Sequence, residues 1–169
     1  IITGTSRRIG YELALRFANA GHQLLAISRK TPKELIENPN ISCLSIDISN
    51  PEELLQVENF INRTWKKVDV LIHNAGSLLH KQFTQITSEE FQNIYKVNVF
   101  AVAELTKICI PFMEKGSHVV TISSMGGIQG SMKFAGLAAY SSSKGAVITL
   151  SELLAEEYKE QGIAFNVLA

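Results

Sequence analysis

The feature that most constrains the fold is the alternation of short apolar runs with segments of helical periodicity along all 169 residues. The apolar runs are nearly continuous, which is typical of strands that are covered on both faces. We predict strands at residues 1–3, 22–28, 41–46, 68–73, 118–123 and 163–168. The segments between them predict helices at about 9–20, 51–66, 88–114 and 138–161, with room for little more than one helical turn after the second strand.

This strict alternation predicts an α/β fold, a doubly wound parallel sheet of Rossmann type with three αβα layers. No repeat, low-complexity segment or linker divides the chain, so we expect a single domain over residues 1–169. The chain starts in an apolar run without an initiator methionine and stops in the last predicted strand. We therefore expect it to be truncated at both ends.

Charge and composition argue against several classes of function. Sixteen basic residues balance sixteen acidic ones, so the chain lacks the positive field expected for binding nucleic acid or an anionic membrane. No apolar run approaches the roughly 20 residues that span a bilayer, and no signal peptide opens the chain. Cys43 and Cys109 lie far apart without C-x-x-C spacing, which indicates reduced thiols in a cytoplasmic protein and no metal site.

The segment TGTSRRIG follows the first predicted strand and opens the first predicted helix. Glycine at its second position lets the chain turn sharply, and the last glycine lets the helix pack close to the sheet. Backbone N–H groups at the helix start can then bind a pyrophosphate. A plain basic turn is the alternative, because the spacing differs from G-x-G-x-x-G. We assign cofactor contacts to Gly4, Ser6, Arg7, Arg8, Ile9 and Gly10.

The end of the second predicted strand indicates which dinucleotide this fold prefers. A carboxylate there accepts hydrogen bonds from the ribose 2′-OH of NAD, whereas arginine suits the 2′-phosphate of NADP. The chain has Ser28 and Arg29 at this point, with Arg7 or Arg8 across the gap. We therefore predict NADP(H) in preference to NAD(H). The alternative is that these arginines only solvate a loop.

Tyr140 and Lys144 have the spacing Y-x-x-x-K, which places both side chains on one helix face. An ammonium group near a phenol stabilises the phenolate. The spacing alone is common and often marks a solvated helix face. Here it follows the segment TISSMGG at the end of the fifth predicted strand, and that order is harder to obtain by chance.

Together these motifs resemble the short-chain dehydrogenase/reductase family. The first turn of that family reads T-G-x-x-x-G/A-x-G. Arg8 stands at its middle glycine position, as in the pteridine-reductase branch. The segment HNAG resembles the family's N-N-A-G, with His73 as a structural replacement. The resemblance implies nucleotide contacts for Asp47, Ile48, Asn74, Ala75 and Gly76, although Asp47 also suits a turn or helix cap.

The resemblance also implies a catalytic set of Asn98, Ser124, Tyr140 and Lys144. Ser124, in an S-x-x-G pattern, would bind the substrate carbonyl, while Lys144 would hold the nicotinamide ribose and assist Tyr140. Asn98 would kink its helix and hold a water that links Lys144 to solvent. The segment between Ser124 and Tyr140 is a few residues longer than usual in the family, and we expect it to lie over the substrate pocket.

We therefore expect an enzyme that reduces a small-molecule ketone or aldehyde with NADPH. The alternatives are a pteridine-type or 3-oxoacyl-thioester reductase of the same family and a non-catalytic NADP(H) sensor. Apolar residues on several faces of the 88–114 and 138–161 helices, with the resemblance, predict a homodimer or homotetramer. Val99, Val102, Ile148 and Leu153 are such residues. The family's C-terminal substrate-covering segment is absent, so the substrate itself is not predicted.

Overall fold

The fold is described from a computed structural model that covers residues 1–169. Six parallel strands form one sheet in the order β3-β2-β1-β4-β5-β6, with helices on both faces, which confirms the predicted doubly wound Rossmann fold. The strands are β1 (Ile2–Thr3), β2 (Leu24–Ser28), β3 (Ile41–Ser45), β4 (Val70–His73), β5 (His118–Ile122) and β6 (Ala164–Leu168).

The helices are α1 (Arg8–Asn19), α2 (Lys33–Ile36), α3 (Pro51–Phe60), α4 (Ser88–Tyr95), α5 (Ala101–Cys109) and α6 (Ala138–Glu157). A π-helical turn at Ile61–Trp65 continues α3, and another at Lys96–Phe100 joins α4 to α5. Short 3₁₀ turns occupy Phe83–Gln85, Ile110–Phe112 and Met125–Gly127. None of the helices combines the length and the apolar character needed to cross a bilayer.

Local sequence explains where the predicted helices begin. The Asn50 side chain accepts a hydrogen bond from the Glu52 N–H at the start of α3, and Pro51 takes the first helical position. Thr87 and Glu90 form a reciprocal capping box at the start of α4. Both starts agree with the sequence pattern.

Two helix ends differ from the prediction. The long helix expected to reach residue 114 gives way to a 3₁₀ turn at Ile110, because Pro111 lacks the N–H that would continue the α-helical ladder. The last helix stops at Glu157 rather than near 161. Beyond it, the Ile163 N–H bonds to the Tyr158 carbonyl, and the Tyr158 ring packs on Phe165 with centroids 5.9 Å apart.

The sheet is covered on both faces because successive strand residues enter different cores. On β2, Leu25 and Ile27 join the core under α3 and α5, whereas Leu24 and Ala26 join the core under α1. Ile2 of β1 pairs with Ala26 on one side and with Ile72 of β4 on the other. The strand order therefore reverses between β1 and β4, and doubly wound folds bind ligands beyond the carboxyl ends of such strands.

Candidate active site

A cleft of about 470 Å³ opens at the carboxyl ends of the strands. Every predicted cofactor residue except Gly10 lines this cleft, from the first turn to the Tyr140–Lys144 pair. A second cavity of about 600 Å³ lies at the opposite, amino-terminal edge of the sheet, beside Ile1, Leu24 and Val68. It contains none of the predicted site residues, so the cleft is the candidate active site.

The first turn brings the start of α1 against the loops after β1 and β4. Gly4 has φ +74°, and a Cβ there would lie 2.8 Å from the Cα of Ala75. A Cβ at Gly10 would lie 2.4 Å from both the Asn74 Nδ2 and the Gly4 oxygen. Gly10 is buried behind the cleft rather than at its surface, because it forms the contact that lets the helix approach.

Asn74 ties β4 to β1 beside this turn. Its Nδ2 donates to the backbone carbonyl oxygens of Thr3, at 3.0 Å, and Gly4, at 3.2 Å. The backbone N–H groups of Asn74 and Ala75 both donate to the Thr3 hydroxyl, at 3.1 and 3.0 Å. These bonds hold the two strand ends at the centre of the cleft.

The arginines of the first turn face solvent at the cleft mouth. Arg8 has φ +53°, a left-handed conformation that glycine adopts most easily, at the position where the family pattern has glycine. Arg7, Arg8 and Arg29 are exposed. All six ion pairs of the structure use lysine as the cation, so these three guanidinium groups have no carboxylate partner.

Beside the arginines, Ser28 and Asp47 already make hydrogen bonds within the chain. The buried Ser28 hydroxyl donates to the Lys30 oxygen at 2.9 Å. The Asp47 Oδ1 accepts from the N–H and the hydroxyl of Ser49. Burial alone would raise the pKa of Asp47, but the Ser49 hydrogen bonds and the Arg29 charge lower it overall. Asp47 thus forms a turn and lines the cleft at the same time.

At the other end of the cleft, Lys144 is only 5% exposed. Its Nζ donates to the Ile122 oxygen at 2.7 Å and lies 5.9 Å from the centroid of the Tyr140 ring. Burial lowers the pKa of Lys144 to about 8. The helix spacing therefore places a buried ammonium group next to a phenol that reaches the cleft.

Asn98 lies behind this pair, in the π-helical turn, and does not line the cleft. Its Oδ1 accepts a hydrogen bond from the Ser77 N–H at 2.7 Å. Its Nδ2 donates to the backbone carbonyl oxygen of Ser77 and to the Ser143 hydroxyl, each at 2.9 Å. Ser143 in turn donates to the backbone carbonyl oxygen of Tyr140 at 2.6 Å. The amide thus links the loop after β4 to α6. Sequence reasoning missed Ser143, whose only signal was a hydroxyl on the buried face of α6.

The two serines after β5 have different surroundings. Ser123 is buried, and its hydroxyl donates to the Lys144 oxygen at 2.8 Å. Ser124 begins the Met125–Gly127 turn, where its Oγ accepts from the Gly126 N–H at 3.3 Å. Its own hydroxyl hydrogen is therefore free to donate. A Cβ at Gly126 would lie 2.7 Å from the Ser141 Oγ, so this turn packs against α6 next to Tyr140.

The family model described as short chain dehydrogenase matches residues 1–169. The chain belongs to that family. A probable short-chain type dehydrogenase/reductase, VdlC, from Helicobacter pylori is 32% identical over 99% of this chain and 60% of its own length. The 3-oxoacyl-(acyl-carrier-protein) reductase FabG of Escherichia coli is 29% identical over the whole chain and 70% of its own length.

Solved structures agree with this assignment. A short-chain dehydrogenase from Streptomyces avermitilis has a TM-score of 0.91 and 31% identity, covering 98% of this chain and 62% of its own. A 4-hydroxyisoleucine dehydrogenase complexed with NADH and succinate has a TM-score of 0.83 and 25% identity, covering 98% and 76%. A Burkholderia cenocepacia short chain dehydrogenase in complex with NADP has a TM-score of 0.89 and 22% identity, covering 98% and 70%. The chain thus spans about three-fifths of the Helicobacter and Streptomyces relatives.

This short-chain dehydrogenase buries His73 where the family pattern has asparagine. The His73 Nε2 lies 2.8 Å from the Thr106 hydroxyl, which itself donates to the Val102 oxygen. The Nε2 therefore carries the hydrogen. Burial lowers the pKa of His73 to about 3, with a smaller contribution from Lys144. His73 is a neutral group that joins β4 to α5.

Val102, which we expected on a helix face that pairs with a second subunit, is buried within the chain. It is 7% exposed, because the π-helical turn before it rotates α5 relative to a straight helix. Val99 and Ile148 are half-buried. Leu153 on α6 and Phe100 beside α5 are 63% and 57% exposed.

Proposed function

We propose that this short-chain dehydrogenase is an NADPH-dependent reductase that converts a ketone or aldehyde into an alcohol, with Tyr140 as the general acid. The observation that carries the proposal is that one cleft has the Tyr140–Lys144 pair at one end and unpaired arginines at the other. A dinucleotide laid along that cleft would have its reactive ring and its phosphates at these two ends.

The cleft residues fit a dinucleotide. Glycine at positions 4 and 10 removes the Cβ atoms that would close the space between the first turn and the loop after β4. The exposed first turn opens α1, so its N–H groups and the helix dipole favour the pyrophosphate. A Cβ at Gly76 would lie 3.5 Å from the Lys144 Nζ and 3.6 Å from the Asn98 Oδ1, so this glycine lies directly beside the catalytic end of the cleft.

The charge at the cleft mouth supports NADPH over NADH. Arg29 directly follows β2, and neither of its neighbours is acidic. A 2′-phosphate there would form charge-assisted hydrogen bonds with unpaired guanidinium groups. Asp47 lies after β3 and holds its own turn through Ser49, so it does not replace the carboxylate that a ribose 2′-OH prefers. Relatives of known structure include complexes with NADP and with NADH.

The proposed chemistry uses few groups of the chain. The chemistry that a bound NADPH supplies is a hydride for the carbonyl carbon. Tyr140 donates its phenolic proton to the oxygen, a contribution of roughly 10²–10⁴-fold in rate. Ser124 has a free hydroxyl hydrogen and would donate a second hydrogen bond to the same oxygen, as in an oxyanion site.

Lys144 and Asn98 support Tyr140 from behind. The Lys144 ammonium stabilises the phenolate that remains after proton donation, and burial strengthens this interaction because water screens it less. Both Nδ2 hydrogens of Asn98 are donated to Ser77 and Ser143, whereas its Oδ1 accepts one hydrogen bond from Ser77 and keeps a second acceptor position. The Tyr140 phenolate would regain its proton through a water that links Lys144 to solvent, and the free acceptor position of the Asn98 Oδ1 could hold that water.

The alternatives within the family concern the substrate. Similarity to FabG favours a 3-oxoacyl-thioester, whereas Arg8 in the first turn favours a pteridine-type substrate. A non-catalytic NADP(H) sensor is the alternative outside catalysis, and the intact Tyr140–Lys144 pair argues against it. We also propose a cytoplasmic homo-oligomer, in which exposed Phe100 and Leu153 would be covered.

The experiment is oxidation of NADPH and NADH by the full-length protein over a panel of ketones, diketones, quinones, 3-oxoacyl thioesters and oxidised pteridines. Tyr140→Phe removes only the hydroxyl and should lower kcat by roughly 10²–10⁴-fold while NADPH still binds. Tyr95→Phe, which removes a hydroxyl from a half-buried tyrosine outside the cleft, is the matched control. Tight NADPH binding without turnover of any panel member would instead favour the sensor.

A further inference from the structure

The segment between Ser124 and Tyr140 contains a cluster of hydrogen bonds that the proposed mechanism does not use. The Lys133 Nζ donates to the Gly126 oxygen at 3.1 Å, to the Ser131 hydroxyl at 3.0 Å and to the Ile128 oxygen. The Ser131 hydroxyl shares its one hydrogen between the backbone oxygens of Met125 and Ile128. One ammonium group therefore holds the outer part of this segment onto the short turn that follows Ser124.

The carbonyls in this cluster lie at the end of the Met125–Gly127 3₁₀ turn. The Met125 and Ile128 oxygens also accept backbone N–H groups, at 3.1 and 3.3 Å, and an ammonium group adds a charge-assisted hydrogen bond to such a carbonyl. Lys133 forms no ion pair with any carboxylate. Lys133 is exposed, and the hydrogen bonds that its ammonium group makes within the chain all go to this segment.

The same turn determines where the Ser124 hydroxyl points. Ser124 is the N-cap residue of the turn, and its Oγ accepts a hydrogen bond from the Gly126 N–H. The peptide unit after Gly126 carries the oxygen that Lys133 holds. Gly127 packs on the other side, where a Cβ would lie 2.6 Å from the backbone of Lys144. The turn is thus held between α6 on its inner side and Lys133 on its outer side.

We propose that Lys133 is a positioning residue for Ser124. Lys133 holds the Gly126 oxygen directly, and through the Ser131 hydroxyl it also holds the Met125 oxygen, which lies in the same peptide unit as the Gly126 N–H. These contacts keep the Gly126 N–H on one lone pair of the Ser124 Oγ, so the hydroxyl hydrogen stays free for the substrate carbonyl. This inference rests on the proposed function, because it assigns a catalytic hydrogen bond to Ser124. The contact is partly exposed to solvent, so the effect is smaller than that of a catalytic residue.

The activity test is a double-mutant cycle in the full-length protein with Lys133→Met and Ser124→Ala. Lys133→Met keeps the length of the side chain and removes its charge. We expect it to lower kcat about 3- to 10-fold in the parent with little change in KM for NADPH. In the Ser124→Ala background it should have no further effect, because the group it positions is gone. An equal loss in both backgrounds, or no loss in the parent, would overturn the proposal.

A second measurement does not depend on turnover. Amide hydrogen exchange of Gly126 and Gly127 should become at least about 10-fold faster in Lys133→Met, since the turn opens more often. Lys133→Arg should restore slow exchange, and Lys159→Met, at an exposed lysine just beyond the C-terminal end of α6, is the control. Unchanged exchange in Lys133→Met overturns the proposal even if the enzyme is active. Absence of turnover in the parent overturns the proposed function, and the exchange rates then decide the role of Lys133 separately.

Discussion

The two ends of the cleft are built in different ways. At the catalytic end, buried side chains are held by hydrogen bonds within the chain: Lys144 to Ile122, Asn98 to Ser77 and Ser143. At the mouth, Arg7, Arg8 and Arg29 are exposed and have no partner. The first end is arranged before any ligand arrives, whereas the second offers charge on exposed side chains.

This difference separates two kinds of contribution to function. A fixed, buried group acts mainly through electrostatics and geometry in the transition state, where preorganisation is most effective. Exposed guanidinium groups act mainly by selecting a ligand of opposite charge. Changes at the catalytic end should therefore reduce turnover with either cofactor. Changes at the mouth should alter the choice between the cofactors.

The largest effect on that choice is expected for Arg29→Ala. Hydrogen bonds to charged groups contribute about 1.5–3 kcal/mol. We therefore expect kcat/KM for NADPH to fall roughly 10- to 100-fold while the value for NADH stays within about twofold. Arg16→Ala, at an exposed arginine in the last turn of α1, is the control and should change neither value. An equal loss of kcat/KM with NADPH and NADH would contradict the idea that the cleft mouth selects the cofactor while the catalytic end sets the rate.

A smaller effect concerns the acid stability of the buried end. His73 has its pKa lowered to about 3 in the folded state, while the unfolded chain binds a proton near 6.5. The unfolded state therefore binds more protons between these values, and stability falls as the pH falls through this range. From pH 7 to pH 5 the free energy of unfolding should decrease by about 2 kcal/mol from this group.

Denaturant titrations of His73→Asn at pH 7 and pH 5 measure this contribution. The variant should lose about 2 kcal/mol less stability between the two pH values than the parent does. His118→Asn, at an exposed position on β5, is the matched control and should behave as the parent. An identical pH dependence in all three proteins would mean that His73 is not held neutral by burial.

The smallest effect is expected at Arg8, in the first turn. Its left-handed backbone, φ +53°, is unfavourable for a side chain by roughly 1–2 kcal/mol. Arg8→Gly should therefore raise the free energy of unfolding by up to about 1 kcal/mol, since the greater freedom of glycine in the unfolded chain offsets part of the gain. Arg8→Ala retains the strained conformation and should show no gain. Equal stability of the glycine and alanine variants would contradict this account.

Much of the fold could be predicted from the sequence because the strands are continuous apolar runs and the helices have clear caps. The predicted strand at 41–46 is observed at Ile41–Ser45, and the helix start expected at Thr87 or Ser88 is observed at Ser88. The grouping of the predicted cofactor residues around one cleft follows from the strand order, because parallel strands bring their carboxyl ends to the same edge.

The remaining features depend on contacts that a linear pattern does not contain. The resemblance implied a kink at Asn98, but a π-helical turn adds one residue to a helical turn without changing the apolar composition, so its π-helical form and the burial of Val102 were not predicted. The partners of Asn98 lie on other elements, at Ser77 and Ser143. Lys133 was also missed, because its acceptors are backbone carbonyls, which have no signature in sequence.

The most direct test of the account is the pH dependence of kcat/KM for carbonyl reduction by the full-length protein. Burial holds the pKa of Lys144 at about 8, so the ammonium is present below that pH and lost above it. If Lys144 supports Tyr140 as proposed, kcat/KM should be level near pH 7. It should fall above about pH 8, approaching tenfold per pH unit. A value that stays constant to pH 10 would contradict the account, because turnover would then not need the charge of this buried lysine.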